Sequence, residues 1–478
     1  MLAPMHSDTG TARLSHFDLL ALGFMTFALF LGAGNIIFPP IAGLQAGKNL
    51  LPAALGFLIT AVGLPVLTVV ALARVGGGMP ALTSPLGRAA GTCLAVAVYL
   101  VIGPLFATPR TAVASFEVGI APFSGSRPGA LTVYSSLFFL VVWALALFPG
   151  RLIDTVGKAI TPVLIVALAL LGVAGLFMPA GPVAAPQGDY ITQPFFKGFA
   201  EGYLTMDALG ALVFGVVIAT AVRDRGVRDQ AQVTRYAIVA ALIAATGLAL
   251  VYLSLFYLGA GSDVLAHGVS NGGELLTRYV RHMFGTPGLT LLALVIVLAC
   301  LTTAVGLMTA CGEYFGELLR LPYRPVATAF VLVSWLVSNV GLTQLIQFSV
   351  PVLMGLYPLA IVLVALSLTN RLWRNPRRVI VPVMAVTLVF AIADGLTAAG
   401  LAGRVAHALA TWPQDGLPWQ LLHAAEQHVG GFFRRLPYAE VAMAWLVPAG
   451  LALAAAAAAD RLRPPPQKLA QGTGGQGQ

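Results

Sequence analysis

The sequence predicts an all-α integral membrane protein of about twelve transmembrane helices, and three observations carry that expectation. The 478 residues are 58% apolar and 9% charged, with a mean hydropathy of +0.88; an ordinary soluble chain is about 45–50% apolar and about 25% charged. The apolar residues fall into runs of roughly 20, the length of helix that crosses the hydrocarbon of a bilayer. The Lys and Arg residues stand in short clusters between those runs, as they do in the loops of membrane proteins. A soluble enzyme or a nucleic-acid-binding protein would need a charged surface that so few charges cannot supply. A disordered chain would not be so apolar. The net charge of +9 is therefore loop charge rather than a nucleic-acid footprint.

Residues 1–16 are polar and form a cytoplasmic N-terminal segment. The first apolar run is too long for the core of a cleavable signal peptide. Spans are expected at 17–46, 50–74, 88–117, 130–149, 152–179, 195–222, 233–260, 288–319, 323–340, 343–368, 378–400 and 437–459. They group as 17–180, 195–368 and a C-terminal pair within 378–459. The stretch 263–285 is too polar to span and is expected as a short external helix. The stretch 401–436, with Trp412, Trp419, Phe432 and Phe433, has the composition of an interfacial loop. The tail 460–478 is disordered by composition. With the N-terminus in the cytoplasm, about 18 of the 27 Lys and Arg face inward, the bias that cytoplasmic loops carry. Both termini are then cytoplasmic, in a multi-pass protein of the cell's inner membrane. Cys93, Cys300 and Cys311 all lie inside apolar runs and are expected as small buried residues, not as a disulfide or metal framework.

A helix in lipid must satisfy its own backbone, and two segments are poorly suited to doing so. Gly32-Ala33-Gly34-Asn35 lies midway along the first span, and Gly202 to Gly210 lies in the sixth with Thr205, Met206 and Asp207 at its centre. Each glycine lowers helix propensity by roughly 1 kcal/mol. Close helix packing is an alternative use of such glycines. The two breaks are five spans apart, so their helices run in opposite directions, as two inverted five-helix repeats require. Interrupted segments at matching positions of two halves point to a transporter site. One end of a broken helix exposes N–H groups that suit a carboxylate; the other exposes carbonyls that suit an ammonium group or sodium. A zwitterionic amino acid offers both partners at once.

Three further groups carry polar or shape information. Thr302 and Thr303 stand near mid-membrane in the eighth span, where two hydroxyls could complete a sodium site or simply bond carbonyls of their own helix. Asp207 is an acid at membrane depth, where ionisable residues are expensive and by default functional. It could pair a substrate ammonium, bind a cation, take a proton, or accept neighbouring backbone N–H groups. Arg110 and Glu117, seven residues apart, are expected on one helix face as a structural ion pair.

At these residues the chain resembles a known family. The runs LALGFMTFALFLGAGNIIFPPIAGLQAG (20–47), ITAVGLPVLTVVALARVGGG (59–78), GPLFATPRTAVASFEVGIAP (103–122), GYLTMDALGALVFG (202–215) and SVPVLMGLYP (349–358) look like the branched-chain amino acid:cation symporters of bacteria. The likeness spans roughly 17–458. More distantly, that family resembles the amino acid–polyamine–organocation superfamily with the leucine-transporter fold. The resemblance implies a five-plus-five inverted repeat with two extra C-terminal helices. It also implies that the N–H groups of Ala33 and Gly34, beside Gly32, face a substrate carboxylate. Asn35 would serve a sodium near the substrate. Carbonyls of Ala28, Leu31 and Ala299, with Thr302 and Thr303, would form a second sodium site. Carbonyls around Thr205, Met206 and Asp207 would face the substrate ammonium. The acid at 207 is a departure, since distant relatives more often carry alanine, serine or leucine there.

An apolar slot for a branched side chain is worth roughly 2–3 kcal/mol on full burial; Tyr99, Ile102 and Phe106, at helical spacing, are candidates for it or for plain core. Such a slot separates leucine, isoleucine and valine only weakly. The resemblance therefore implies a secondary transporter of these three amino acids driven by a cation, sodium favoured, with protons through Asp207, or other neutral amino acids, as alternatives. No cofactor beyond the coupling ion is indicated, and no nucleic acid or obligate protein partner. A channel would show charged rings or repeated filter loops. An intramembrane enzyme would show paired His, Asp or Glu in mid-span. Neither pattern is visible.

Overall fold

The computed structural model describes residues 13–125, 127–147, 165–167, 169–400 and 431–462, and every regular element among them is helical. Helix α1 (His16–Phe30) starts where Ser15 and Asp18 cap each other: the Ser15 hydroxyl accepts from the Asp18 N–H at 3.1 Å, and the Asp18 carboxylate from the Ser15 N–H at 3.2 Å. The helix stops at Leu31. After an extended Gly32 the chain resumes as α2 (Ala33–Ala46), so the first span is two half-helices. The second span comprises α3 (Leu50–Leu58), a π turn at Ile59–Gly63 and α4 (Leu64–Val75).

The short α5 (Gly78–Thr83) leads into a third span that is far from straight. It runs through α6 (Arg88–Leu100), a π turn at Val101–Leu105, α7 (Ala107–Ser115), a second π turn at Phe116–Ile120 and α8 (Ala121–Ser124). Gly103 is non-helical, with φ −80° and ψ −112°, and Pro104 follows it. That Gly-Pro pair accounts for the kink. Helix α9 (Ala130–Ala146) is the fourth span, and α10 (Ile165–Phe177) lies in the fifth.

The sixth span repeats the interruption of the first. Helix α11 (Pro194–Glu201) ends in a tight turn, Gly202–Thr205; Met206 takes a left-handed conformation at φ +65°, and α12 (Asp207–Asp224) leaves at a bend of 44°. The remaining elements are α13 (Gln230–Ala260), α14 (Gly272–Leu319), α15 (Tyr323–Ser338), α16 (Leu342–Leu368), α17 (Pro376–Ala398), the single turn α18 (Gly431–Arg434) and α19 (Leu446–Leu462). Among the described residues, six helical stretches are long and apolar enough to cross a membrane, and the bent pair α11–α12 makes a seventh; α1, α9, α10 and α15 are shorter apolar helices.

Two boundaries differ from the sequence reading. The external segment expected at 263–285 is helical only from Gly272, where the Asn271 side chain accepts the Glu274 N–H at 3.0 Å, and it joins the eighth span through a break at Gly285 (φ +60°) just before Pro287. The last span begins at Leu446 rather than 437, because Tyr438 and Ala442 are left-handed and the Asp394 carboxylate holds the Ala444 and Trp445 N–H groups, each at 3.3 Å. The interfacial loop with Trp412 and Trp419, the loop charges Arg151, Lys158 and Arg404, and the tail with Arg463 and Lys468 lie outside the described residues.

Backbone contacts weld the half-helices to their neighbours. A Cβ on Gly43 of α2 would stand 2.0 Å from the Phe256 carbonyl of α13, and one on Gly259 of α13 would stand 1.9 Å from the Pro40 carbonyl of α2. The same reciprocity joins α3 and α11: Gly56 against the Phe195 carbonyl and Gly198 against the Ala53 carbonyl, both at 2.0 Å. These are small-residue seams, in which glycine lets backbones touch. They pair the second half of span 1 with span 7, and the first half of span 6 with span 2. Inverted repeats produce that cross-relation.

The helix ends gather on two faces. On one, Gln230 and Thr234 both donate to the Ala73 carbonyl, at 3.1 and 2.9 Å, beside the exposed Arg74 and Arg228. On the other, the Lys48 N–H donates to the Ala184 carbonyl at 3.1 Å and Asn49 to that of Tyr190 at 2.8 Å. The positive-inside bias leads us to expect the first face to be cytoplasmic. In a background where the exposed Cys93 is replaced by serine, Arg74→Cys and Arg228→Cys are expected to react with an impermeant maleimide only from the cytoplasmic side, and Lys48→Cys only from outside. Labelling of Arg228→Cys from outside would refute this orientation.

Candidate functional site

The two interruptions meet at one cavity. Its walls are Gly32, Ala33, Gly34 and Asn35 from the first break and Thr205, Met206 and Asp207 from the second. Arg110 and Thr111 of α7 and Thr303 of α14 complete its polar part, and Phe30, Ile102, Phe214 and Leu307 supply apolar wall. Phe30 and Phe214 meet edge to face at 6.0 Å. The space is about 30 Å³, room for a water or two and less than a four-carbon side chain needs. The walls must move before a larger molecule is held there.

Each break is held by a side chain that replaces the lost backbone bonds. In a continuous helix the Gly32 N–H would serve the Ala28 carbonyl. Instead it donates to the Asn35 Oδ1 at 3.0 Å, and the Ala28 carbonyl loses that intrahelical donor. The Asn35 amide then crosses to the other break, donating to both carboxylate oxygens of Asp207 at 3.0 and 2.9 Å and to the Tyr252 hydroxyl, which itself donates to Asp207. Asn35, Asp207 and Tyr252 are at most 3% exposed. A carboxylate at this depth is tolerable only when so fully hydrogen-bonded.

Arg110 does the equivalent for the second break. Its Nη1 donates to the Leu204 carbonyl at 2.7 Å and its Nη2 to that of Thr205 at 3.3 Å, two carbonyls that the left-handed Met206 strips of helical partners. The guanidinium also lies over the Phe38 ring, 5.2 Å from its centroid, a cation–π arrangement. Thr205 donates from its hydroxyl to the Gly202 carbonyl at 2.9 Å. Gly34 packs into this cluster so closely that a Cβ would fall 2.7 Å from Arg110 Nη2 and 3.0 Å from Thr205 Cα.

The oxygens named for a sodium site divide into two kinds. Thr303 reaches across to the first break, its hydroxyl 3.2 Å from the Leu31 carbonyl. Thr302 turns back to its own helix and donates to the Ala299 carbonyl at 2.8 Å. Both threonines are buried, as are Ala28, Leu31 and Ala299. The structure thus joins Leu31 to Thr303 and Ala299 to Thr302 beside the cavity, with oxygen as the donor atom that a hard cation takes.

In the third span the structure divides the candidates between slot and core and does not form the expected Arg110–Glu117 pair. Of Tyr99, Ile102 and Phe106, only Ile102 lines the cavity; Tyr99 stacks on Tyr314 with centroids 3.9 Å apart, and Phe106 packs at the edge of the core. Arg110 and Glu117 do not pair: Glu117 accepts from Asn271 at 3.0 Å instead. Counting by helical turns assumes an unbroken helix, and the π turns at Val101–Leu105 and Phe116–Ile120 rotate the residues beyond them. Sequence reasoning misses Tyr252, in mid-span 7. The Gly103-Pro104 pair is the available sign that Arg110 faces inward.

Gly34 and Gly210 both line the cavity, yet they differ in room. A Cβ on Gly210 would meet nothing nearer than the Phe214 ring at 3.8 Å. Gly34→Ala is expected to destabilise the purified protein by about 1–3 kcal/mol through overpacking, while Gly210→Ala is expected to be neutral or to gain up to about 1 kcal/mol from helix propensity. Thermal denaturation in detergent measures both. Equal midpoints would show that the close approach at Gly34 is not real.

Known proteins resemble the chain along nearly its whole length. Residues 15–463 match the family described as branched-chain amino acid transport proteins. The branched-chain amino acid transport system 2 carrier protein of Pseudomonas aeruginosa is 58% identical over 456 residues, covering 95% of this chain and 99% of that one. The branched-chain amino acid permease BrnQ of Escherichia coli is 50% identical over 438 residues, covering 92% and 94%. Two solved structures share the fold at low identity. Mhp1, a nucleobase-cation-symport-1 family transporter in a closed conformation, has a TM-score of 0.55 at 13% identity, covering 93% and 94% of the two chains. A mutant of the Eremococcus coleocola manganese transporter has 0.54 at 12%, covering 94% and 98%. The fold is therefore of the leucine-transporter type, and the chain belongs to the branched-chain amino acid transport proteins, a family of carriers and not of enzymes.

Proposed function

We propose that the protein carries leucine, isoleucine and valine across the inner membrane by symport with a cation, sodium foremost, alternating access around the broken spans 1 and 6. The observation that carries this reading is the meeting of both breaks at one buried cavity with an apolar side. The substrate carboxylate approaches the N–H groups of Ala33 and Gly34 at the start of α2, where a helix end favours an anion. The substrate ammonium goes to Asp207, since the Leu204 and Thr205 carbonyls are engaged by Arg110. The branched side chain turns toward Phe30, Ile102, Phe214 and Leu307, gaining roughly 2–3 kcal/mol from burial. Sodium takes the Leu31 and Ala28 carbonyls on one side and Ala299, Thr302 and Thr303 on the other. Asn35 keeps a lone pair of its Oδ1 for a cation nearer the substrate.

A proton-coupled carrier is the second reading, and the Asp207–Tyr252–Asn35 cluster favours it, because a buried carboxylate in contact with a hydroxyl is placed to exchange a proton. Uptake of labelled leucine into proteoliposomes, with sodium and proton gradients imposed separately, tests both. Valine keeps the shape of threonine without its oxygen. The double change Thr302→Val, Thr303→Val is expected to raise the sodium concentration for half-maximal uptake at least tenfold, about 1.4 kcal/mol. Thr303→Val alone is expected to carry most of that effect, since its hydroxyl is the one that crosses to Leu31. Unchanged sodium dependence in the double variant, with Asp207→Asn abolishing the response to a pH gradient, would overturn sodium in favour of protons.

A further inference from the structure

We propose that Arg110 is the residue that recognises the substrate's α-carboxylate, acting beside the N-terminus of α2; this rests on the reading of the cavity as an amino acid site. Arg110 is 3% exposed, and no ion pair joins it to a carboxylate among the described residues. A guanidinium carries five N–H donors. The structure partners Nη1 and Nη2 with backbone carbonyls and leaves the buried Nε without a partner. A cation held in the membrane interior by two carbonyls and the face of Phe38, with no carboxylate in contact among the described residues, has capacity for an anionic partner.

Asp207 attracts the guanidinium across the cavity but makes no contact ion pair with it. That carboxylate lines the same cavity but is held by Asn35 and Tyr252. The cavity therefore keeps one fixed cation and one fixed anion apart, which is the charge pattern complementary to a zwitterion. The position of the guanidinium supports the same assignment. Its Nη2 lies 2.7 Å from where a Gly34 Cβ would stand, so the guanidinium packs against the first turn of α2 in the wall of the same cavity. A planar carboxylate suits such a fork. Because the same side chain bonds the Leu204 and Thr205 carbonyls, substrate binding at Arg110 bears directly on the span-6 break.

The test separates carboxylate recognition from a merely structural role by comparing leucine with leucinol, which keeps the ammonium and the side chain but lacks the carboxylate. Wild type, Arg110→Gln and Arg110→Lys are reconstituted, and inhibition of labelled leucine uptake by each compound is measured. If the wild type prefers another neutral amino acid, the pair becomes that amino acid and its alcohol, so failure of the branched-chain reading leaves this test intact. Leucinol is expected to compete at least thirtyfold more weakly than leucine in the wild type. In Arg110→Gln the leucine KM is expected to rise at least tenfold while leucinol inhibition changes less than threefold, which closes most of the gap. Arg110→Lys is expected to retain part of it. Should the Gln variant fail to insert, the Lys variant decides alone: selective weakening of leucine supports the proposal. Equal weakening of both ligands, or an unchanged leucine-to-leucinol ratio, overturns it.

Discussion

No backbone N–H or C=O can be left bare in lipid, and that constraint organises the interior of this protein. Two spans surrender helical hydrogen bonds at mid-membrane, and four of the groups set free are met by specific side chains. Asn35 takes the Gly32 N–H, Arg110 takes the Leu204 and Thr205 carbonyls, and Thr303 takes the carbonyl of Leu31. None of these bonds lies within regular secondary structure, and all but the first bind one helix to another. The breaks are thus held open by the rest of the bundle. Polar residues elsewhere in the spans mostly bond their own helix one turn back, as Thr26 does to Leu22 and Thr68 to Leu64. The site is where side chains stop doing that and reach across.

The charges follow the same logic. A lone carboxylate or guanidinium inside a membrane protein would be costly, and the usual remedy is to pair them. Here Asp207 and Arg110 share a cavity without pairing. Asp207 is stabilised by the Asn35 amide and the Tyr252 hydroxyl, and Arg110 by two carbonyls and the face of Phe38. Each charge is solvated by neutral groups, so each keeps capacity for a charged visitor. Hydrogen bonds that stabilise a charge without cancelling it are what a binding site needs and a structural core does not.

Much of this is legible in the sequence, because lipid imposes simple rules. Apolar run length marks the spans, and glycines beside Asn35 and Asp207 mark both breaks, since few residues at mid-membrane signal a stopped helix so strongly. The third span defeats that reading because a π turn has no strong composition of its own: Val101–Leu105 differs from plain helix only by Gly103 and Pro104. One extra residue in that turn is enough to rotate Phe106 and Arg110 relative to Tyr99, which precedes it. Tyr252 escapes for another reason. A single tyrosine in a long apolar helix is common, and its partners lie 217 and 45 residues away in the chain, beyond any local pattern. The start of α19 depends on Asp394, an equally distant residue.

The reciprocal glycine seams bear on how such a molecule moves. Backbones that touch at Gly43 and Gly259, or at Gly56 and Gly198, leave no side-chain layer to shear, so the helices they join travel together. The second half of span 1 is then a passenger of span 7, and the first half of span 6 a passenger of span 2. Four of the half-helices and spans reduce to two stiff beams. The first half of span 1 and the second half of span 6 have no such backbone weld among the described residues. The two kinds of half-helix join at Leu31–Gly32 and at Met206, where a half seated backbone to backbone meets one that packs on the same neighbouring span through side chains such as Ile243, Phe27 and Leu72. The cavity lies between those joints, so whatever fills it sits at the fulcrum of both.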